Sequence, residues 1–330
     1  MIDVFESRDE GLLRGLLESD RAAGAYLLGD LEAPFFELGR WLVATRGGTP
    51  IAIVLVFEAF ADPVILSFGD VSGVEAIVAR PEIDLETRRP TAHTRRSDAS
   101  VPEYCYLKIP PEHDVPFSRA FEIVERETMK VMALDRGEAS RDVARDEHDR
   151  PCAARADGPD PPHSAEHDVR RLTADFPIDQ ILAVYRSYPG HFFEPGQLAT
   201  GIYFGSFEAG RLVAVAGTHV YSPAGRVAAV GNIVTAVDAR GRGHATACTA
   251  AVIDALRERG CDTIILHVAE SNAPALACYR RLGFRECGPV LQLKARCRSR
   301  RPETAGQLDQ DKEDSCLGCP PGCRLLIPDS

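Results

Sequence analysis

The sequence predicts an α/β fold built on a mixed sheet, and three observations point to it. A β-branched, apolar strand at Asn232–Val237 passes through a polar turn with two glycines into a helix that opens at Gly243 and runs to Arg259. Amphipathic helical stretches and apolar strands alternate on both sides of that junction. Two strand pairs joined at glycines, Trp41–Thr45 with Ile51–Phe57 and the pair within Ile202–Tyr221, read as antiparallel hairpins. A crossover helix needs parallel neighbours and a hairpin gives antiparallel ones, so both kinds of pairing share one sheet.

In order, Gly11–Leu31 carries leucines at helical spacing, interrupted near Ser19–Asp20, and gives one or two amphipathic helices. The first hairpin follows, then a strand at Val64–Phe68 and a short helix at Val71–Ala79. Tyr104–Ile109 reads as a strand, Phe117–Glu127 as a helix and Met129–Leu134 as the last strand of this half. A second round begins with a short strand at Val169–Arg171 and a helix at Ile178–Tyr188. It continues through the second hairpin and the central strand-turn-helix, whose helix is stopped by Gly260. A strand at Thr263–Val268, a helix at Ala273–Leu282 closed by Gly283 and a strand at Val290–Leu293 complete it. Trp41–Leu55 can be laid beside Tyr203–Ala216, which suggests an internal repeat. The first copy has nothing like the Arg-Gly-Arg-Gly turn.

The chain has 330 residues, 45% hydrophobic and 26% charged, enough for two globular domains. We expect an N-terminal α/β domain at 1–134, a second domain at 168–295, a polar, proline-containing linker at 135–167 and a polar tail at 296–330. The net charge of -11 argues against a nucleic-acid surface and suits an amine-bearing partner. The opening residues Met1–Glu10 lack the basic-then-apolar pattern of a signal peptide, and the longest apolar run, Ile51–Phe57, is too short to span a bilayer; a soluble, cytoplasmic chain with no membrane partner is expected. The ten cysteines form no disulfide framework. Cys316, Cys319 and Cys323 would give zinc three thiolates where a structural site wants four, so no metal is expected.

The turn after the central strand has the makings of an anion site. The first amides of a helix have no partner within it, and the helix dipole favours negative charge there. Gly241 and Gly243 let a phosphate approach the backbone, while Arg240 and Arg242 add charge; the expected ligand is a pyrophosphate. About thirty residues on, Asn272 stands at a strand-to-helix junction where it can cap the helix, and Tyr279 lies two turns further on the same face.

With both motifs in view, Val169–Leu293 resembles the GNAT superfamily of acyl-CoA-dependent N-acetyltransferases. Arg240-Gly-Arg-Gly-His-Ala fits that family's pyrophosphate turn, and Asn272 through Tyr279 to Gly283-Phe284 fits its second signature. The hairpin and the Gly-Asn-Ile-Val-Thr strand look closest to the glycine N-acyltransferase-like branch. The resemblance implies a GNAT-like fold with a degenerate GNAT-like N-terminal half and acetyl-CoA as cosubstrate. Acetyl would pass to a primary amine of a small molecule or peptide by direct attack.

It also implies roles. The amides of Arg240, Gly241, Arg242, Gly243, His244, Ala245 and Thr246 would hold the coenzyme A pyrophosphate. Ile233, Val234 and Thr235 would bond the pantetheine arm as an added strand, and Asn272 would touch it. Tyr279 would protonate the departing thiolate.

Two departures from the pattern stand out: Val237 replaces a frequent proline, and the central strand carries no carboxylate to serve as base. His219, His267 and Glu270 are the candidates, and the base is left unassigned. A non-catalytic acyl-CoA-binding module is the alternative reading. A nicotinamide-binding turn fits poorly, since Thr246 stands where the third glycine would be.

Overall fold

The same succession of elements runs through the chain twice. The structure, a computed structural model, describes residues 1–33, 35–58, 62–80, 104–135, 167–186, 188 and 193–296. The first round is β1 (Ile2–Glu6), α1 (Glu10–Leu17), α2 (Ala25–Asp30), β2 (Gly39–Arg46), β3 (Thr49–Phe57), β4 (Val64–Gly69), α3 (Val71–Val78), β5 (Tyr104–Ile109), α4 (Asp114–Ala120) and β6 (Glu122–Asp135). The second is β7 (Asp168–Leu172), α5 (Ile178–Tyr185), α6 (Gln197–Thr200), β8 (Tyr203–Glu208), β9 (Arg211–Ser222), β10 (Val227–Thr235), α7 (His244–Glu258), β11 (Thr263–Ala269), α8 (Ala273–Arg281) and β12 (Arg285–Arg296). The proposed linker and the cysteine-bearing tail, with Cys316, Cys319 and Cys323, lie outside the described residues.

All twelve strands join one sheet in the order β1-β2-β3-β4-β5-β12-β6-β11-β10-β9-β8-β7. The two halves exchange their last strands. β12 pairs with β5 from Leu291↔Ile109 to Arg296↔Tyr104, and β6 pairs with β11 from Thr263↔Asp135 to Ala269↔Met129. The two exchanged strands also pair with each other along nearly their whole length.

This exchange accounts for an element that local sequence misassigns; β1 and α6 are additions to the expected elements, and the central strand expected at Asn232–Val237 runs Val227–Thr235. Phe117–Glu127 is expected to be helical, but the helix stops at Ala120 and Glu122–Asp135 is strand. Three of the charges of β6 find partners on β12: Glu122 faces Arg296 at 3.3 Å, Glu125 faces Lys294 at 3.7 Å and Lys130 meets Glu286 at 2.7 Å. Such exposed pairs contribute little stability each, but opposite charges facing across strands fix register. Their partners lie some 160 residues away, beyond the reach of local periodicity.

Helices cover both faces. On one, α7 and α8 bury Val252, Leu256, Leu276 and Tyr279 against Ala228, Val230, Leu266 and Met132. On the other, α1 and α2 pack Leu13, Leu17 and Leu28 on Trp41, Ile53 and Leu55, and that cluster reaches Val227 of β10. α2 therefore belongs to the first half by sequence and leans on the second: Ala25 packs with Ala229, Ala133 and Ile265. Its Gly29 lies so close to Val220 that a β-carbon would stand 1.7 Å from Cγ1. Among the described residues, no helix is long and apolar enough to cross a membrane.

Candidate active site

The central strands part in the middle of the sheet. β10 and β11 pair in parallel only from Val227↔Thr263 to Val230↔Leu266. Beyond that point β11 stays with β6 as far as Ala269↔Met129, and β10 stays with β9 as far as Thr235↔Ala214. Among the described residues, the edge of β10 from Gly231 to Thr235 is left without a strand partner on the β11 side, as an extended ligand would need.

A bulge causes the parting. The β9–β10 register shifts between Gly231↔Gly217 and Val234↔Val215, so Asn232 and Ile233 oppose a single residue. Asn232 adopts φ 52°, a left-handed conformation that asparagine tolerates better than most side chains. Its carbonyl accepts from Tyr185 Oη at 2.6 Å and its Nδ2 donates to Tyr203 Oη at 2.8 Å and Gln197 Oε1 at 3.0 Å. Gly231 is required there: a β-carbon would stand 1.6 Å from Cδ2 of the His219 ring.

The start of α7 is the second part of the site. Its N-cap is Gly243 at φ 87°, which contributes no side-chain hydrogen bond, so the first amides of a 15-residue helix have no N-cap side chain to bond. The corresponding helix of the first half is closed. There Asp70 caps α3, its carboxylate accepting from the amides of Ser72 at 2.9 Å and Gly73 at 3.3 Å. An anion would find an aspartate already in the place it needs at α3, and bare amides at α7.

Around that turn, Arg242 pairs with Glu208 at 2.7 Å and donates to the carbonyl of Asp238 at 2.8 Å, while Arg240 Nε donates to the Thr235 carbonyl at 3.3 Å. The His244 side chain is buried beneath it. Nε2 meets Glu208 Oε1 at 2.9 Å and Nδ1 meets Ser206 Oγ at 2.9 Å, tying the first turn of α7 to β8. Sequence reasoning assigns His244 only a backbone role and misses this anchor, since Ser206 and Glu208 lie on a strand 36 and more residues earlier.

Tyr279 lies on the inner face of α8, in the same apolar cluster that receives Ile233 from the open edge of β10. Its ring packs edge-on to Phe284 at 6.1 Å. Burial raises the phenol above its ordinary pKa, with smaller contributions from Cys278 and Tyr188, so it stays protonated at physiological pH. Asn272 is exposed and caps α8, its Oδ1 accepting from the Ala275 amide at 3.2 Å. Thr246 Oγ1, one turn into α7, lies 3.0 Å from Cys278 Sγ and links the two helices. Ile233 of the β10 edge and Tyr279 of α8 thus share one apolar cluster, and Thr246 ties the head of α7 to α8.

The three candidate bases separate. Glu270 is exposed and pairs with Lys130 at 3.6 Å. His219 is occupied: the Asn232 amide can only donate, so Nε2 of the ring accepts it at 3.2 Å and the proton sits on Nδ1. Burial, with help from Lys108, pushes His219 down to about 3. His267 is also held well below the ordinary histidine value by burial first and then by Lys108 and His219, but among the described residues its buried Nδ1 has no hydrogen-bond partner.

Residues 168–284 match the model of the Acetyltransferase (GNAT) family. They form a GNAT-family domain. Curated relatives include a mycothiol acetyltransferase of Saccharomonospora viridis, 38% identical over 95 residues that make up 26% of this chain and 30% of that protein. Another, from Corynebacterium jeikeium, is 48% identical over 52 residues, 16% of this chain and 15% of that protein. The chain thus aligns with less than a third of the length of these two relatives.

Solved structures extend the likeness in fold to both halves. A Drosophila protein superposes with a TM-score of 0.60 at 14% identity, covering 88% of this chain and 98% of its own. The GCN5-related N-acetyltransferase from Kribbella flavida gives 0.53 at 16% identity, covering 83% and 94%. At such identities the likeness concerns the fold alone, which is the GNAT fold. Among the described residues, no group of three or more His, Cys, Asp or Glu side chains could hold a metal ion.

Proposed function

We propose that this chain is an acetyltransferase that moves acetyl from acetyl-CoA to a primary amine of a small molecule or peptide. The observation that carries the reading is the parting of β10 from β11 directly beside the uncapped head of α7. That arrangement offers an extended acyl-pantetheine arm an unpaired strand edge, and offers its diphosphate a set of free amides, within one opening. The GNAT-family match of residues 168–284 supports it.

In this reading the amides of Arg240 through Thr246 receive the diphosphate, and Ile233, Val234 and Thr235 bond the arm. A β10 amide at the bulge holds the oxyanion that develops on attack. Tyr279 gives its proton to the leaving thiolate. Asn272 serves first as the cap of α8, placing that helix. No covalent enzyme intermediate is required, because the thioester is already activated and holding the two reactants together supplies much of the rate. The N-terminal half is a second GNAT-like unit whose ligand site is closed by Asp70, and we place the protein in the cytoplasm.

Calorimetry with acetyl-CoA, followed by mass spectrometry of products from an amine panel, tests the proposal. The names of the curated relatives put a mycothiol-type acceptor on that panel, and the glycine N-acyltransferase-like hairpin puts glycine there. Micromolar binding with acetylated product is expected. Binding without turnover on any amine would support a non-catalytic acyl-CoA module instead, and absence of binding would refute both.

A further inference from the structure

On the face of the sheet away from α7 and α8, beside the place where β10 and β11 part, lie five titratable side chains drawn from both halves of the chain. α2 brings Tyr26 and Asp30, β5 brings Lys108, β9 brings His219 and β11 brings His267; all five are half-buried. Lys108 Nζ lies 4.3 Å from the centre of the Tyr26 ring, and that ring lies 4.9 Å from His267 and 6.5 Å from His219. On the β6 side, His267 is paired with Val131, so no charge faces it from the directly opposite position.

His267 is the first residue of β11 past the last pair with β10, so it flanks the gap through which a thioester would reach this face. Among the described residues, its Nδ1 is a buried polar atom with no hydrogen-bond partner. Leaving a buried nitrogen unsatisfied is costly, and such an atom beside the parted strands calls for a bound group to complete it. The other two candidate bases are engaged elsewhere, His219 by the Asn232 amide and Glu270 by Lys130.

We infer that His267 is the general base of the acetyl transfer, receiving the acceptor amine in a crevice that the N-terminal half completes with Tyr26, Asp30 and Lys108. The amine lone pair forms the N–C bond to the acetyl carbon, and the C–S bond breaks with its electron pair on sulfur. The proton released from nitrogen goes to the His267 imidazole, and Tyr279 supplies the proton that the thiolate takes. Solvent then removes one proton from His267 and returns one to Tyr279. Burial and the Lys108 charge keep the imidazole neutral in the resting protein, as a base must be. The acceptor class that suits the crevice is a small, polar amine with further hydrogen-bonding groups for Lys108, Asp30 and the Tyr26 hydroxyl. A long apolar chain would leave them unpaired.

This inference rests on the acetyltransferase reading, and its test separates the two. The full chain is labelled on its histidine rings and titrated by NMR, and acetyl transfer to glucosamine and to glycine is followed in the wild type and in His267→Gln and Lys108→Met. Wild-type His267 should stay neutral well below pH 6.5, and Lys108→Met should move its titration upward by removing a neighbouring cation. His267→Gln should bind acetyl-CoA within threefold of wild type while kcat falls about 100-fold or more, the range of a lost general base. The acid limb of the kcat profile should move upward in Lys108→Met together with the NMR titration. A His267 that titrates as an ordinary histidine and ignores Lys108→Met overturns the inference, as does a His267→Gln turnover within threefold of wild type. A wild type that neither binds acetyl-CoA nor acetylates an amine overturns the acetyltransferase reading itself.

Discussion

Exchanging Gly243 for aspartate would put a carboxylate at the head of α7, where α3 carries Asp70. Two costs can be worked out. At φ 87° a side chain occupies the left-handed region, which costs about 1–2 kcal/mol, and the new β-carbon would stand 3.1 Å from His167 Nε2, which must give way slightly. Stability should therefore fall by that amount, roughly 2–6 °C in melting temperature. The larger effect falls on the ligand. The carboxylate would stand beside the amides meant for the diphosphate and repel it. A hydrogen bond to a charged group contributes about 1.5–3 kcal/mol, so losing even one weakens acetyl-CoA about 10- to 150-fold.

Calorimetry on the folded variant, checked by circular dichroism, gives the affinity directly. Asp70→Ala is the control: it removes two capping bonds from α3, should cost about 0.5–2 kcal/mol of stability, and should leave acetyl-CoA affinity unchanged. A Gly243→Asp protein that binds acetyl-CoA within threefold of wild type would refute the assignment of the diphosphate to this turn.

Two further predictions follow from the same geometry. Tyr279→Phe should lower kcat about 100-fold while acetyl-CoA affinity changes little. Because burial raises the Tyr279 pKa above its ordinary value, the protonated form persists as pH rises through 10, so this residue should impose no loss of activity on the alkaline side below that pH; a decline near pH 8 that disappears in the phenylalanine variant would contradict the assignment. The exchange of β6 and β12 makes a prediction about assembly. If a protease site is engineered between residues 136 and 166 and cut, the fragments should co-elute on gel filtration until denaturant is added, because each half holds a strand of the other. Separation in native buffer would count against that pairing.

Much of the architecture was legible where the cause is local. The strand-glycine-helix junction, both hairpins and the helix closed by Gly283 follow from periodicity and turn chemistry, and all are present in the structure. β6 was misread because its charges answer to β12, far along the chain. The site was legible in part. Glycines and a cap are backbone requirements that leave a mark in sequence, so the α7 turn and Asn272 stood out. The bulge left a weaker mark, the pair Gly231-Asn232 inside a strand pattern. What holds it did not show at all, because Tyr185, Tyr203 and Gln197 come from three separate elements. The crevice around His267 was equally hidden, since Tyr26 and Lys108 reach it only through the strand exchange and the lean of α2 across the sheet.

Hydrogen exchange with and without acetyl-CoA addresses the diphosphate and the acyl arm together. The account predicts slowed exchange at Ile233–Thr235 and at Arg240–Thr246, with Val71–Val78 unchanged. Protection at the head of α3 in place of α7, or none along the open edge of β10, would contradict it.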